Sequence, residues 1–259
     1  MPLLSLDPPA LTHAAHLLLA RRAQGLTGAL LPATCRPVTL EDAFAIQAAV
    51  SALGGQRTVG WKCGMPEADR RVAAPIYADG LQQGSTCPIW ARDDRAMIEP
   101  ELAFILRHDL PPRAAPYTQA DVDAAIGTTH LALELIGSRY DDPDSAAFTD
   151  HLADGLLNQG LFIGPEVDGA LAQAAAQFTL QIHGTTEATI TLKGRHPNLS
   201  PRAPLYWLAE FLRSTGQGLQ AGQAIITGSY AGCIALPLAQ ELTLRYGDLG
   251  TLSTSFIAR

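Results

Sequence analysis

The chain has no basic run, no C-x-x-C pair, no low-complexity tract and no stretch of about twenty apolar residues such as a membrane helix needs. With a formal net charge of −7, it is a poor partner for nucleic acid or for an anionic membrane surface. Four cysteines (Cys35, Cys63, Cys87 and Cys233) are too dispersed for a zinc knuckle or a disulfide frame. They read as free thiols in a reducing compartment, the cytoplasm. The N-terminus carries an apolar LLLA patch but no basic stretch before a long apolar core, so it is expected to be a helix and not a signal peptide. Charged residues are sparse, at 17% against 47% hydrophobic, which excludes disorder and favours a compact globular protein. An anionic substrate would therefore have to find its positive charge inside the site, where a metal ion and a lysine would supply it.

Helix signals dominate the first quarter. Pro8 and Pro9 precede a helical pattern over 10–23 that Gly25 stops. Thr39 and Asp42 form a capping box ahead of Phe44, Ile46, Val50 and Leu53, and Gly54-Gly55 ends that helix. Residues 1–65 are thus expected to be a helical N-terminal segment, and 66–259 the main domain. Val59, Trp61 and Cys63 alternate with Thr58, Gly60 and Lys62, a short strand with Lys62 facing away from Trp61. The stretch 66–96, with Pro75, Gly80 and Gly84, reads as loop. Thr118 and Asp121 cap a short helix. Residues 158–164 read as a buried strand, 178–192 as a β-hairpin and 205–216 as a helix. Three further strands follow, and the acidic run 141–155 reads as a solvated loop.

The segment MIEPELAFILR (97–107) stands out. Side chains repeat every second residue in a strand, so Glu99 and Glu101 project from one face of an otherwise apolar element. Two like charges there repel and are costly to desolvate, and a hard divalent cation turns that cost into a site. A solvated strand face is the commoner meaning of a bare E-x-E. In HLALELIGSRY (130–140), His130, Ala132, Glu134 and Ile136 share a face while Leu131, Leu133 and Leu135 fill the other. This places a third carboxylate on a strand built for burial, although periodicity cannot make the two strands neighbours.

Five motifs in order resemble the 2-keto-4-pentenoate hydratase and 4-oxalocrotonate decarboxylase group of the fumarylacetoacetate hydrolase superfamily. GWKCG resembles its G-[YW]-K-x-G element, IEPELAFIL its E-P-E-[IL]-A-F signature and ALELIGSRY its A-L-E-[IL]-x-x-S-R strand. The segment 206–232 is similar to its W-L-A to G-S-x-T-G stretch, and GDLGTLSTSF to its closing strand. The resemblance runs from about residue 39 to the C-terminus. It implies a mixed α/β (α+β) fold in which a helical N-terminal segment joins a fumarylacetoacetate-hydrolase-like β-roll domain. It also implies a Mg²⁺ or Mn²⁺ site on Glu99, Glu101 and Glu134, with Lys62 as a proton shuttle of depressed pKa and Asp79 as an acidic residue on a loop over the site. Ser229 would lie against the substrate carboxylate or simply close a turn.

Departures from the pattern bear on the substrate. DGLLNQG lacks a serine of the family's pocket, and Asn158 or Gln159 takes its place. RHPNLSP sets His196 at a turn, as a structural residue or a substrate contact. The loop APIYADGL differs from the usual form. The implied activity is a metal-dependent hydro-lyase adding water to 2-hydroxy-2,4-dienoate or 2-oxo-enoate acids of aromatic catabolism. A 4-oxalocrotonate-type decarboxylase needs the same electron sink. A C–C hydrolase of acylpyruvates would need a His–Glu dyad near 66–80, where no histidine occurs. A non-catalytic partner subunit would have lost a metal carboxylate. The resemblance further implies a homo-oligomer, and leaves open a complex with a paralogous decarboxylase.

Overall fold

A computed structural model describes residues 5–185 and 188–259. Residues 1–4, in the N-terminal segment, and 186–187, in the turn of the expected hairpin, lie outside the described residues. In chain order the elements are α1 (Pro8–Gln24), α2 (Leu40–Gly54), β1 (Thr58–Cys63), β2 (Ala73–Tyr77), β3 (Leu81–Gln82), β4 (Thr86–Ile89), β5 (Arg95–Leu106), α3 (Gln119–Ala125), β6 (Ile126–Ile136), α4 (Phe148–Ala153), β7 (Asn158–Val167), α5 (Gly169–Ala174), β8 (Gln177–Gly184), β9 (Ile190–Arg195), α6 (Ala203–Ser214), β10 (Ala224–Ile226), β11 (Ile234–Pro237), β12 (Glu241–Tyr246) and β13 (Thr251–Ala258).

Local chemistry sets the helix ends. Asp7 accepts from the Ala10 N–H at the start of α1, and Gly25 closes it in the left-handed region. Thr39 and Asp42 cap α2 reciprocally, and Thr118 and Asp121 do the same for α3. Asp42 also accepts from Ser5, and these hydrogen bonds outweigh burial to hold its carboxyl at about 2.

Two sheets carry the β structure. One runs β2-β1-β10-β5-β6-β7-β3, with β11 also paired to β5; the other runs β4-β13-β12-β8-β9. The long antiparallel pair β5–β6 is central to the first sheet. The largest core cluster joins both sheets to α6 through residues such as Phe104, Leu133, Leu208, Leu244 and Phe256. A second cluster packs α1, α2 and α4 around Leu18, Ile46, Tyr140 and Leu152. The expected mixed α/β class holds.

Several local expectations need correction. The stretch 66–96 is not simply loop: it contributes β2, β3 and β4. Pro75 hid the first of these, yet β2 is the sheet's edge strand, where a missing N–H costs no ladder bond. Four strands, not three, follow α6. The acidic run is not merely solvated. Within it α4 forms, and two of its carboxylates are buried ion-pair partners: Asp150 lies 2.7 Å from Arg36, and Asp154 lies 2.6 Å from Arg139. Both aspartates are withdrawn from water because each is the counter-charge of an arginine. Among the described residues no helix is long and apolar enough to cross a membrane.

Candidate metal and proton-transfer site

The register of β5 against β6 assembles the carboxylates. Glu99 lies directly across from Glu134, and Glu101 across from Ala132. Oxygens of Glu99, Glu101 and Glu134 all lie within 4.8 Å of one another. Glu101 and Glu134 are buried, at 2% and 0% exposure, so water does little to screen their repulsion. The cluster opens into a cleft of about 370 Å³ whose wall includes Lys62, Cys63, Met65, Val72, Asn198 and Thr227.

Each carboxylate is aimed by a neighbour. The Lys62 ammonium sits 2.7 Å from Glu134 Oε1 and donates to the Leu156 carbonyl at 2.9 Å. Asn158 Nδ2 donates to the same Glu134 oxygen at 2.9 Å and to the Gly160 carbonyl at 3.1 Å. Glu101 Oε2 accepts the Gly228 N–H at 2.7 Å. Gly228 has φ of +137°, a conformation that a side chain would strain, and the Pro197 ring leaves little room for a Cβ. Leu156 and Leu157 also hold positive φ, at 56° and 65°, which no leucine signals in sequence. Their turn delivers the carbonyl that Lys62 contacts and leads directly into Asn158.

The residues fit a divalent cation. Glu134 Oε2 is buried with no hydrogen-bond partner, an arrangement that is expensive unless something positive completes it. The donor set is all oxygen, which suits hard cations such as Mg²⁺, Mn²⁺ or Ca²⁺. Burial first, then the charge of Glu134, raises the carboxyls of Glu99 and Glu101, the latter strongly. Lys62 departs from expectation. Burial pulls its ammonium down, but Glu134, Glu99 and the hydrogen bond to Glu134 outweigh burial and hold it above its ordinary value. The lysine sits among anions, so the charged form wins.

A pH dependence follows from the raised glutamates. Their folded-state pKa values exceed the unfolded ones, so the folded chain binds more protons above the ordinary glutamate range and loses stability as pH rises. Without divalent cation, Tm is expected to fall as pH rises above the ordinary glutamate range. Millimolar Mn²⁺ should reverse the fall, with a stabilisation that grows with pH as the ion competes with protons. Differential scanning calorimetry across a pH series checks this. A Mn²⁺ effect equal at all pH values would contradict it.

The other expected site residues are placed differently. Asn158 joins the cluster as described. Gln159 does not line the cleft; its amide bridges Trp90 and the Ile136 carbonyl. Asp79 lines two smaller cavities beside α1, with Arg22 in both, and its carbonyl accepts from Arg259. The Ser229 hydroxyl donates to the Gly232 carbonyl at 3.0 Å and closes a turn. His196 is buried behind the wall, its Nδ1 accepting from the Asn198 N–H while Nε2 lies 3.4 Å from the Thr227 hydroxyl. Burial lowers its pKa, so it is a neutral brace for two wall residues. Gly228, the Leu156 carbonyl and Thr227 were missed, because backbone groups and turn partners carry no residue-type signature.

In fold, the chain is similar to solved enzymes that include a 4-oxalocrotonate decarboxylase and a 2-hydroxyhepta-2,4-diene-1,7-dioate isomerase. A 4-oxalocrotonate decarboxylase from Pseudomonas putida G7, solved in complex with magnesium and adipate, superposes with a TM-score of 0.82, 18% identity, and coverage of 98% of this chain and all of that one. At the level of sequence, the chain is 28% identical over 244 residues to a 2-oxo-hept-4-ene-1,7-dioate hydratase of Escherichia coli, covering 85% of this chain and 88% of that protein. It is 26% identical to a 2-keto-4-pentenoate hydratase of Burkholderia vietnamiensis, covering 96% and 98%. No family model matches the chain. The resemblance drawn from the five motifs thus extends over most of the chain.

Proposed function

We propose that the protein is a divalent-cation-dependent hydratase, a carbon–oxygen lyase that adds water to 2-hydroxy-2,4-dienoate acids. The observation that carries this reading is the juxtaposition of three carboxylates, one with an orphaned buried oxygen, and a protonated lysine bound to the innermost of them. Glu99, Glu101 and Glu134 would hold Mg²⁺ or Mn²⁺. When bound, the ion supplies Lewis-acid stabilisation of negative charge on the oxygens of a 2-oxo acid.

Lys62 does the proton work. Its ammonium donates a proton to the distal carbon of the dienol, C5 of 2-hydroxypenta-2,4-dienoate, and its amine takes up the proton of the C2 hydroxyl. The double bonds shift to give the conjugated 2-oxo-3-enoate, with no net gain or loss of atoms. Water then adds across C3–C4, its oxygen to C4 and its proton to C3, yielding a 4-hydroxy-2-oxo acid. The Leu156 carbonyl and Glu134 hold the Lys62 ammonium from two sides, and Asn158 holds Glu134. Met65, Pro66, Val72 and Pro197 give the cleft an apolar wall.

The test is turnover of 2-hydroxypenta-2,4-dienoate with Mg²⁺, with and without EDTA, followed by ultraviolet absorbance and product mass. A metal-dependent product heavier by one water is expected. Loss of CO₂ from 4-oxalocrotonate in place of hydration would assign the decarboxylase reaction to the same electron sink. No turnover of either compound by Mn²⁺-loaded protein would overturn both.

A further inference from the structure

The cleft wall opposite the carboxylates carries a charge that the hydratase reaction does not use. The names of the relatives span acids with an uncharged tail and acids with a second carboxylate. From the composition of this wall we infer that Glu67 is a specificity-determining residue that restricts the cleft to 2-oxo and 2-hydroxy-dienoate monoacids with an uncharged distal end. The inference rests on the reading of the cleft as the substrate site.

The argument is one of charge and wall chemistry. Among the described residues lining the cleft, Lys62 is the cation, and it is bound to Glu134 at 2.7 Å. The carboxylates are Glu99, Glu101 and Glu134 at the base and Glu67 on the loop that follows β1. A divalent cation and Lys62 together offset the three at the base and leave Glu67 uncompensated. The Glu67 carboxylate makes no ion pair or side-chain hydrogen bond among the described residues; its backbone N–H donates to the Arg70 carbonyl at 3.0 Å. The two arginines that follow in the loop neither line the cleft nor pair with the Glu67 carboxylate. Arg70 lies over the Phe148 ring at 5.4 Å. Arg71 donates to the carbonyls of Glu67 and Arg70 and lines a separate groove between α2 and α6. His196 behind the wall is held neutral by burial.

A substrate's shared end, the carboxylate and C2 oxygen, goes to the carboxylate cluster. Its far end then meets Met65, Pro66, Val72 and Pro197, with Glu67 beside them. Alkyl or alkenyl carbon gains from that wall. A second carboxylate there would find no unpaired cation lining the cleft and would face the like charge of Glu67. Discrimination of this kind comes from a repulsive element as much as from an attractive one.

The test is direct binding of two unreactive ligands of equal chain length, 2-oxohexanoate and 2-oxohexanedioate. Both are titrated calorimetrically into Mn²⁺-loaded wild type, Glu67→Gln and Glu67→Lys, with melting temperature as a check on folding. Wild type is expected to bind the monoacid about tenfold more tightly than the diacid. Glu67→Gln should narrow the ratio, and Glu67→Lys should abolish or invert it. A wild-type ratio near one, or a ratio unmoved by Glu67→Lys, overturns the inference. Failure of wild type to bind either 2-oxo acid, despite holding Mn²⁺, overturns the proposed function itself and the inference with it.

Discussion

Glu134→Gln is expected to weaken Mn²⁺ binding by about 100-fold or more and to bring hydratase turnover to background. Substituting groups that merely orient a metal ligand costs about 10- to 100-fold, and Glu134 is placed as a ligand. Its Oε2 is the buried oxygen with no partner, and its Oε1 is shared by Lys62 and Asn158. Glutamine keeps the shape and keeps an acceptor for Asn158, but it removes one of three negative charges. Removing one partner of a buried ion pair costs about 3–5 kcal/mol, and that figure is an upper bound here. Glu99 and Glu101 still act on the Lys62 ammonium. The half-buried Glu99 offers a control, Glu99→Gln, that leaves the Lys62–Glu134 pair intact. Titration of Mn²⁺ into the metal-free proteins, with circular dichroism to confirm folding, reads the result. Unchanged Mn²⁺ affinity in both variants would remove the three-carboxylate site.

The second large effect separates metal from chemistry. Lys62→Met is expected to cost about 10²- to 10⁴-fold in turnover, the usual contribution of a positioned acid or base. Mn²⁺ affinity should hold or rise in the same variant. The ammonium and the metal compete for Glu134, so deleting the ammonium frees that carboxylate. Methionine replaces the aliphatic stem without the charge and leaves the Leu156 carbonyl without its donor. Paired measurements of Mn²⁺ binding and of single-turnover product formation distinguish the outcomes. Loss of both would make Lys62 a structural residue that holds the carboxylates in place, and retention of turnover would end its role as proton carrier.

These two residues show how much of the site was readable in advance. Strand periodicity put Glu99 and Glu101 on one face, and Glu134 on a strand whose other face is leucine. The alternation around Lys62 correctly set it apart from Trp61: Lys62 faces the carboxylates, while Trp61 lines the groove between α2 and α6. The expectation that failed for Lys62 was the sign of its pKa shift. Sequence shows that a lysine is flanked by apolar residues, which argues for depression by burial. It does not show that three carboxylates converge on it, and that convergence reverses the sign.

The acidic run 141–155 taught the same lesson. Charge density alone argues for solvent, yet Asp150 is paired by Arg36 from the N-terminal segment and Asp154 by Arg139, just ahead of the run, and both are buried. Ser229, Gln159 and Asp79 were placed by motif position, and each makes its contacts away from the carboxylate cleft. Motif spacing preserves order along the chain but not the direction in which a side chain points.

By itself, then, the sequence determined the helix ends through their caps and several strands through their alternation, and its motifs singled out three carboxylates and one lysine by resemblance. These depend on residues close together in the chain, whose relative geometry the backbone constrains. Only the tertiary structure decided that Glu99 lies across from Glu134, that Gly228 and Leu156 supply backbone groups to the site, and that Glu67 stands alone on the cleft wall. Register, convergence and the absence of a counter-charge arise between segments distant in sequence, and packing alone brings those together.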